Sequence, residues 1–460
     1  VIDLKPGEEV LVRAVAPDNP DPSPSKDYGV VVDAFGAKGD GVTDDSDAIQ
    51  RALDEGVNTR VLFPRRGPYK VSRTMLIKGN CTVEGWGGAR LECYGRGGLG
   101  VSEQVGGLQY LRVEGFEIAN QSGDRNHVCL GTNELNNRGF PMGPNVPIDV
   151  CIFTRNKFIR GKVLMCSKPG RMWFLENLIE STNQDLNAYA LGLDIGNGQS
   201  HVNGSQDTNE NGAWICNNNI RVVCSRPDSH GSDSDIVKIT GTLARVHFTG
   251  NKVANLAPDT IEAQIDAFTG GGQILFMGND LHDVCLHYKQ HGEHPGMQDI
   301  QAWAGGIISH NHWRWRTAVA GFWHIPLFVR AGGGLQVGNN WFNMDCAGKQ
   351  CDAMVFDNAA PDGDTGWGSG SPCFVNVSNN VAWLQRRNDH RLMQIQGSGV
   401  GPPRAWVIHG NIVHDPSGQN RATADIGAAH RASVGSNISL NSPAWQLGPG
   451  SKDAGGNIFA

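Results

Sequence analysis

Several short stretches set acids, bases and amides at alternate positions among apolar residues, so that titratable groups share one surface while their neighbours pack. LGLDIGN at 191–197 puts Leu191, Leu193 and Ile195 in one phase and Asp194 in the other. IEAQIDAF at 261–268 likewise sets Glu262, Gln264 and Asp266 against Ile261, Ala263, Ile265 and Ala267. Alternate side chains of a strand project to opposite faces, so the polar set is expected to face solvent. DIQAW at 299–303 then offers Asp299, Gln301 and Trp303, and PLFVRA at 326–331 offers Phe328 and Arg330. In DIVKIT at 235–240, Val237 and Ile239 inward would expose Lys238 but leave Asp235 at a corner or facing in. Stacked about 4.8 Å apart, Asp194, Lys238, Asp266, Asp299, Gln301, Trp303 and Arg330 would form one polar strip suited to a ring-bearing polar ligand.

A segment read as a loop, LHYKQHGEHPGMQD at 286–299, concentrates His287, Tyr288, Lys289, His291, Glu293 and His294. These groups titrate near neutral pH and could serve as general acids or bases, His287 and His291 first among them, with Tyr288 as a ligand contact. A solvated polar loop explains the same composition. The His spacing matches no zinc motif. Of the tryptophans, Trp313 and Trp341 fall on inward positions and are expected in the core. Trp303, Trp323 and Trp367 are the better candidates for stacking against a sugar ring, together with the amides of Gln264 and Gln301.

The elements that must position these residues are read from a repeat. Apolar-x-x-Asn-x-apolar recurs in FTRNKF (153–158), FLENLI (174–179), ICNNNI (215–220), FTGNKV (248–253), FMGNDL (276–281) and ISHNHW (308–313), and continues to GGNIF at 455–459. Aligning Asn156, Asn177, Asn218, Asn251, Asn279, Asn311, Asn339, Asn379, Asn411, Asn437 and Asn457 gives spacings of 21, 41, 33, 28, 32, 28, 40, 32, 26 and 20 residues. Periods in this range indicate a solenoid, and the period-two alternation around each Asn makes its units strands. Asn tolerates the left-handed conformation of a sharp corner and can hydrogen-bond to the Asn of the next coil. The expectation is an all-β, single-stranded right-handed parallel β-helix of about 11 coils, with variable loops walling a groove. TDDSDAIQRALDEG at 43–56, with its acidic first turn, apolar Ala48, Ile49, Ala52 and Leu53 and terminal Gly, predicts a short amphipathic helix capping the apolar end. Residues 1–90 are thus assigned to the cap and first coils, and 91–460 to the β-helix with its groove loops, in one continuous domain.

Composition agrees. With 61 Gly and 18% charged residues among 460, the chain suits short strands and tight turns better than long helices. Its net charge of −7 argues against nucleic acid as the main partner, and no apolar run is long enough to span a bilayer. The opening residues lack a charged-then-apolar leader, so a removed signal and a secreted, extracellular protein are expected. Eleven Cys allow local bridges between Cys346 and Cys351 or Cys216 and Cys224, or a set of small buried thiols. Asn80, Asn120, Asn203, Asn376 and Asn437 stand in glycosylation sequons.

VDAFGAKGDGVTDDSDAIQRAL at 32–53, VLFPRRGPYKV at 61–71 and TVEGWG at 82–87 resemble the opening segment of the pectate-lyase-like superfamily of β-helix proteins. The resemblance covers roughly the first ninety residues, and signature pectate-lyase or polygalacturonase active-site motifs are not apparent. In this opening, Asp40, Asp44 and Asp45 are expected to cap and turn the backbone. The superfamily includes lyases, glycoside hydrolases, uronate epimerases and viral tailspikes, so the resemblance implies a polysaccharide partner, and a monomer or homotrimer, more firmly than one reaction. The lyase side implies β-elimination on a uronic-acid polymer, with Lys238 and Arg330 as base and charge stabiliser, His287 or His291 assisting, and Asp194, Asp266 and Asp299 free to hold Ca²⁺. The alternative is hydrolysis by a carboxylate pair, either Asp266 with Asp299 or Asp194 with Asp266. A non-catalytic glycan-binding β-helix and a uronate epimerase are further alternatives.

Overall fold

The computed structural model describes residues 29–460 except 65–66, 96, 103, 122–127, 131–133, 136–140, 143–146, 161–162, 166–167, 182–190, 195–211, 224–232, 241–244, 257–261, 269–273, 290–304, 317–322, 331–333, 346–349, 358–373, 386–389, 397–404, 417–423, 427–430, 442–444 and 448–450. For some strand residues, Asp194, Lys238, Asp266, Lys289, Trp323 and Arg330 among them, the backbone alone is described.

The chain winds as a right-handed parallel β-helix in which each strand pairs in parallel with its equivalent one coil on. Arg245–Thr249 lies between Gly212–Cys216 and Ile274–Met277, and after a sharp corner Lys252–Asn255 lies between Asn219–Val222 and Asp280–His282. Strands on both sides of this corner belong to one 27-stranded sheet. The third face is a separate sheet that includes Leu191–Asp194, Asp233–Thr240, Glu262–Phe268, Val284–Lys289, Leu327–Arg330, Gln350–Asp357 and His390–Gln396. Inward residues repeat coil by coil, so like side chains stack along the axis. Phe248 lies 5.0 Å from Phe276, and Trp313 lies 4.8 Å from Phe342, in both cases with nearly parallel rings.

The corners hold a continuous hydrogen-bonded ladder of eleven asparagines, from Asn156 to Asn457. Each backbone N–H and each side-chain amide donates to the carbonyl oxygen of the next Asn, as in Asn218 to Asn251 at 2.9 Å for both. The amide also donates backwards to a main-chain carbonyl, Asn251 to Ile215 at 2.8 Å. The polar groups of a tight corner are thereby satisfied without water.

Two features of the expected ladder are corrected. In the seventh and eighth rungs the members are Asn340 and Asn380, both buried, rather than Asn339 and Asn379. The left-handed residue is the one before each ladder Asn. Arg155, Glu176, Asn217, Gly250, Gly278, His310, Asn339, Asn379, Gly410, Ser436 and Gly456 all have positive φ. A double Asn can be aligned either way by sequence, and only the backbone shows which serves the turn and which the ladder. One consequence is that Phe342 and Ala382 point inward, while Trp341, expected in the core, is 49% exposed. Trp313 is fully buried as expected.

The capping helix forms as Ser46–Glu55, burying Ala48, Ile49, Ala52 and Leu53, and Gly56 closes it through an N–H to the Ala52 carbonyl at 2.8 Å. The three aspartates before it turn the backbone. Asp40 accepts from the N–H groups of Val42 and Thr43, Asp44 from Ser46 and Ser72, and Asp45 from Lys38 and Gly39. Cys216 is a buried free thiol, so the Cys216–Cys224 bridge does not form; Cys346 lies outside the described residues. Asn437 and Asn120 are buried, Asn437 inside the ladder, so neither sequon is open to a glycan in the folded chain. Among the described residues no helix is long and apolar enough to cross a membrane.

Candidate functional site

The third sheet positions most of the residues singled out by alternation, and its register sorts them into two columns. Lys238 pairs with Asp266, Asp266 with His287, and His287 with Phe328. Two residues further along the same strands, Asp194 pairs with Thr240, Thr240 with Phe268, Phe268 with Lys289, and Lys289 with Arg330. Lys238 stands between the buried Val237 and Ile239, and Asp266 follows the buried Ile265. The uncertain phase of DIVKIT is resolved by a bulge. Asp235 pairs with Gln264 and Val237 with Ile265, so Ile236 is an extra residue that restores the alternation.

Sequence reasoning missed part of this site by reading 286–299 as a loop. Val284–Lys289 is a strand whose Val284, Leu286 and Tyr288 are buried. His287 and Lys289 therefore enter the two columns as rungs, whereas Tyr288 belongs to the core and is withdrawn from any ligand. The signal was present in the alternation V-x-L-x-Y but was outweighed by the polar residues that follow. The same strand is the sheet neighbour of Glu262–Phe268 on one side and of Leu327–Arg330 on the other.

His287 is the functional side chain defined most closely. Its Nδ1 lies 3.3 Å from Gln264 Oε1, one strand away, and its ring meets Phe328 edge-on with centroids 4.7 Å apart. Gln264 is buried, so its amide orients the imidazole and is not itself a surface contact. A polar partner on one nitrogen and an aromatic on its flank fix the orientation of the ring, whose Nε2 is itself buried.

Asp194 is offset from Asp266 by two strands and two residues, roughly 12 Å between Cα atoms at standard spacings, wider than stacking in a single column would give. Asp299, Gln301, Trp303, His291 and Trp367 lie outside the described residues; Trp323 begins the short strand Trp323–His324, which pairs with Gln350 and Cys351. Further along the sheet, buried Asp352 is held by Arg391 through two bonds of 2.8 and 3.0 Å, and Arg391 reaches Asp425 at 3.1 Å. A guanidinium committed to two carboxylates braces the sheet.

Residues 30–225 match the family described as rhamnogalacturonase A/epimerase, pectate lyase-like. The pre-neck appendage proteins of Bacillus phages PZA and phi29 are 40% identical over 62 residues, 14% of this chain and only 7% of their own length. Among solved structures, the catalytic unit of a GH87 alpha-1,3-glucanase from Streptomyces thermodiastaticus aligns over 95% of this chain and 69% of its own, with 14% identity and a TM-score of 0.49. The mannuronan C-5 epimerase A-module of Azotobacter vinelandii aligns over 94% and 99%, with 14% identity and a TM-score of 0.41. The chain is thus a right-handed parallel β-helix whose residues 30–225 resemble the pectate-lyase-like family.

Proposed function

We propose that the two columns on the third sheet bind a uronic-acid-containing polysaccharide outside the cell and cleave it by β-elimination. The observation that carries this reading is the register that sets Lys238, Asp266 and His287 on successive strands, beside a second column containing Lys289 and Arg330. Elimination needs positive charge on the uronate carboxylate to acidify the adjacent C–H, a base for that proton, and an acid for the leaving oxygen. Arg330 and Lys289 take the carboxylate, and Lys238 removes the proton, with His287, two strands on, assisting. The C–O bond to the leaving sugar breaks, its oxygen is protonated, and a C=C bond remains in the new end. Asp266 offers a hard carboxylate oxygen that Ca²⁺ would use, whereas Asp194, roughly 12 Å away between Cα atoms, stands too far off to share the ion readily.

Hydrolysis is the second reading, favoured by the rhamnogalacturonase in the description of the matched family, with Asp266 as one carboxylate of the pair. Incubation with polygalacturonate, alginate and neutral glucans, with and without chelator, separates the readings by product mass. Elimination gives a chain end lacking one water relative to hydrolysis, while epimerisation leaves the mass unchanged. Lys238→Ala and His287→Gln are each expected to lower product formation by about a hundredfold or more. Product from a neutral glucan alone, or full activity in both variants, would overturn the proposal.

A further inference from the structure

The face that follows the asparagine corner changes character along the solenoid. In the early coils its outward charges pair with one another: Arg90 with Glu117 at 2.6 Å, Lys157 with Glu117 and Glu180 at 3.6 and 3.9 Å, and Arg221 with Glu180 at 3.9 Å. From Asp280 onward that pattern gives way to a mixed polar and aromatic cluster. Asp280 Oδ1 lies 3.1 Å from His282 Nε2, 3.6 Å from His312 Nδ1 and 3.7 Å from Arg314 Nη2. The next two coils present Trp341 and Trp383, 49% and 40% exposed, with Asn343 beside them hydrogen-bonded by Gln385. Trp341 pairs with Val381 and Asn343 with Trp383, so the indoles stand on adjacent strands two residues apart, roughly 8 Å between Cα atoms.

The fold does not require indoles here. Equivalent outward positions in earlier coils hold Lys157, Leu178, Asn219 and Lys252 in the Trp341 column and Ile159, Glu180, Arg221 and Ala254 in the Trp383 column, none of them aromatic, with the same backbone geometry. Two indoles exposed side by side, where those coils place no aromatic residue, are surface that an occupant would cover. About 200 Å² of exposed indole is well short of the roughly 800 Å² per partner of a stable subunit contact, and acids such as Asp280 are depleted from such contacts. A sugar chain suits both features. The C–H face of a pyranose packs on an indole, while its hydroxyl and carboxylate groups take hydrogen bonds from guanidinium and amide.

We propose that Trp341 and Trp383, with Arg314 and Asn343 beside them, form a second polysaccharide-binding site, on a different face from the Lys238–Asp266–His287 column. It anchors a uronate-bearing chain without cleaving it; the choice of a uronate rests on the function proposed above, whereas the site itself rests on the exposed pair. Affinity electrophoresis in gels containing polygalacturonate or alginate tests it. Wild-type protein is retarded by at least one polymer, Trp341→Ala/Trp383→Ala binds at least about tenfold more weakly, and Trp341→Tyr, which retains an aromatic face, stays close to wild type. Turnover of a galacturonate hexamer, too short to reach both faces, is unchanged in the double variant. His287→Gln shows the converse, losing turnover and keeping retardation. Retardation lost with the Trp pair in a protein that cleaves nothing would end the proposed catalysis and leave this site standing. No retardation of the wild type, equal retardation of the double variant, or its dissociation from oligomer to monomer would each overturn the second site.

Discussion

Replacing Asn251 by Ala removes one rung from the middle of the ladder, and the cost follows from the bonds it makes. Its side-chain oxygen accepts from the backbone N–H and the amide of Asn218, each at 2.9 Å, and its amide donates to Ile215 O at 2.8 Å and Asn279 Oδ1 at 3.2 Å. After truncation, the Asn218 amide still donates to Phe174 O and Asn279 Oδ1 still accepts from the Asn251 backbone. The buried Asn218 N–H loses its ladder acceptor, and Ile215 O loses the amide that reached it. An unsatisfied buried group costs about 1–3 kcal/mol, so two place the loss at about 2–6 kcal/mol. The terminal rung, Asn457, is only partly buried, and water can replace its bonds to Asn437; Asn457→Ala should cost about 1 kcal/mol. A solenoid's stability is approximately a sum over units and their interfaces, so a central break should also lower cooperativity. Urea unfolding followed by circular dichroism measures both midpoint and slope. Equal and small losses in the two variants, below about 1 kcal/mol, would refute the view that the ladder joins the coils.

Arg391→Met should cost about 3–5 kcal/mol by leaving Asp352 charged and buried, and most of the loss should return in Arg391→Met/Asp352→Leu, as read from denaturant midpoints. Burial pushes the Cys81 and Cys93 thiols up to about 12, so in native protein both should resist a thiol reagent at pH 8 and react within the unfolding time once urea is added. Burial first, then Arg245, lowers the pKa of His247, and burial first, then Arg314, lowers that of His312. Both histidines therefore take up protons more readily in the unfolded chain. Their contribution is complete above the unfolded value of about 6.5 and is lost as pH falls through the folded one, so the thermal midpoint should drop between pH 7.5 and 5, less steeply in His247→Gln.

Much of the architecture was legible in the sequence because the solenoid repeats a local rule. An Asn flanked by alternating apolar residues specifies a corner between two strands, and the amphipathic 43–56 segment specifies its cap; both need only the nearest neighbours in the chain. The same locality explains the errors. Asn339 and Asn340 satisfy the pattern equally, and only the stacking of coils assigns the turn to one and the ladder to the other. That choice puts Trp341 on the surface. His287 and Lys289 were identified as residues but not as rungs, because their columns exist only once Val284–Lys289 lies against Glu262–Phe268 and Leu327–Arg330. By itself the sequence determined which side chains alternate in and out along each strand. Which positions share a register across coils, Lys238 with Asp266 and His287, or Lys289 with Arg330, was decided by the tertiary structure, because loops of unequal length set the register between strands and no local pattern encodes it.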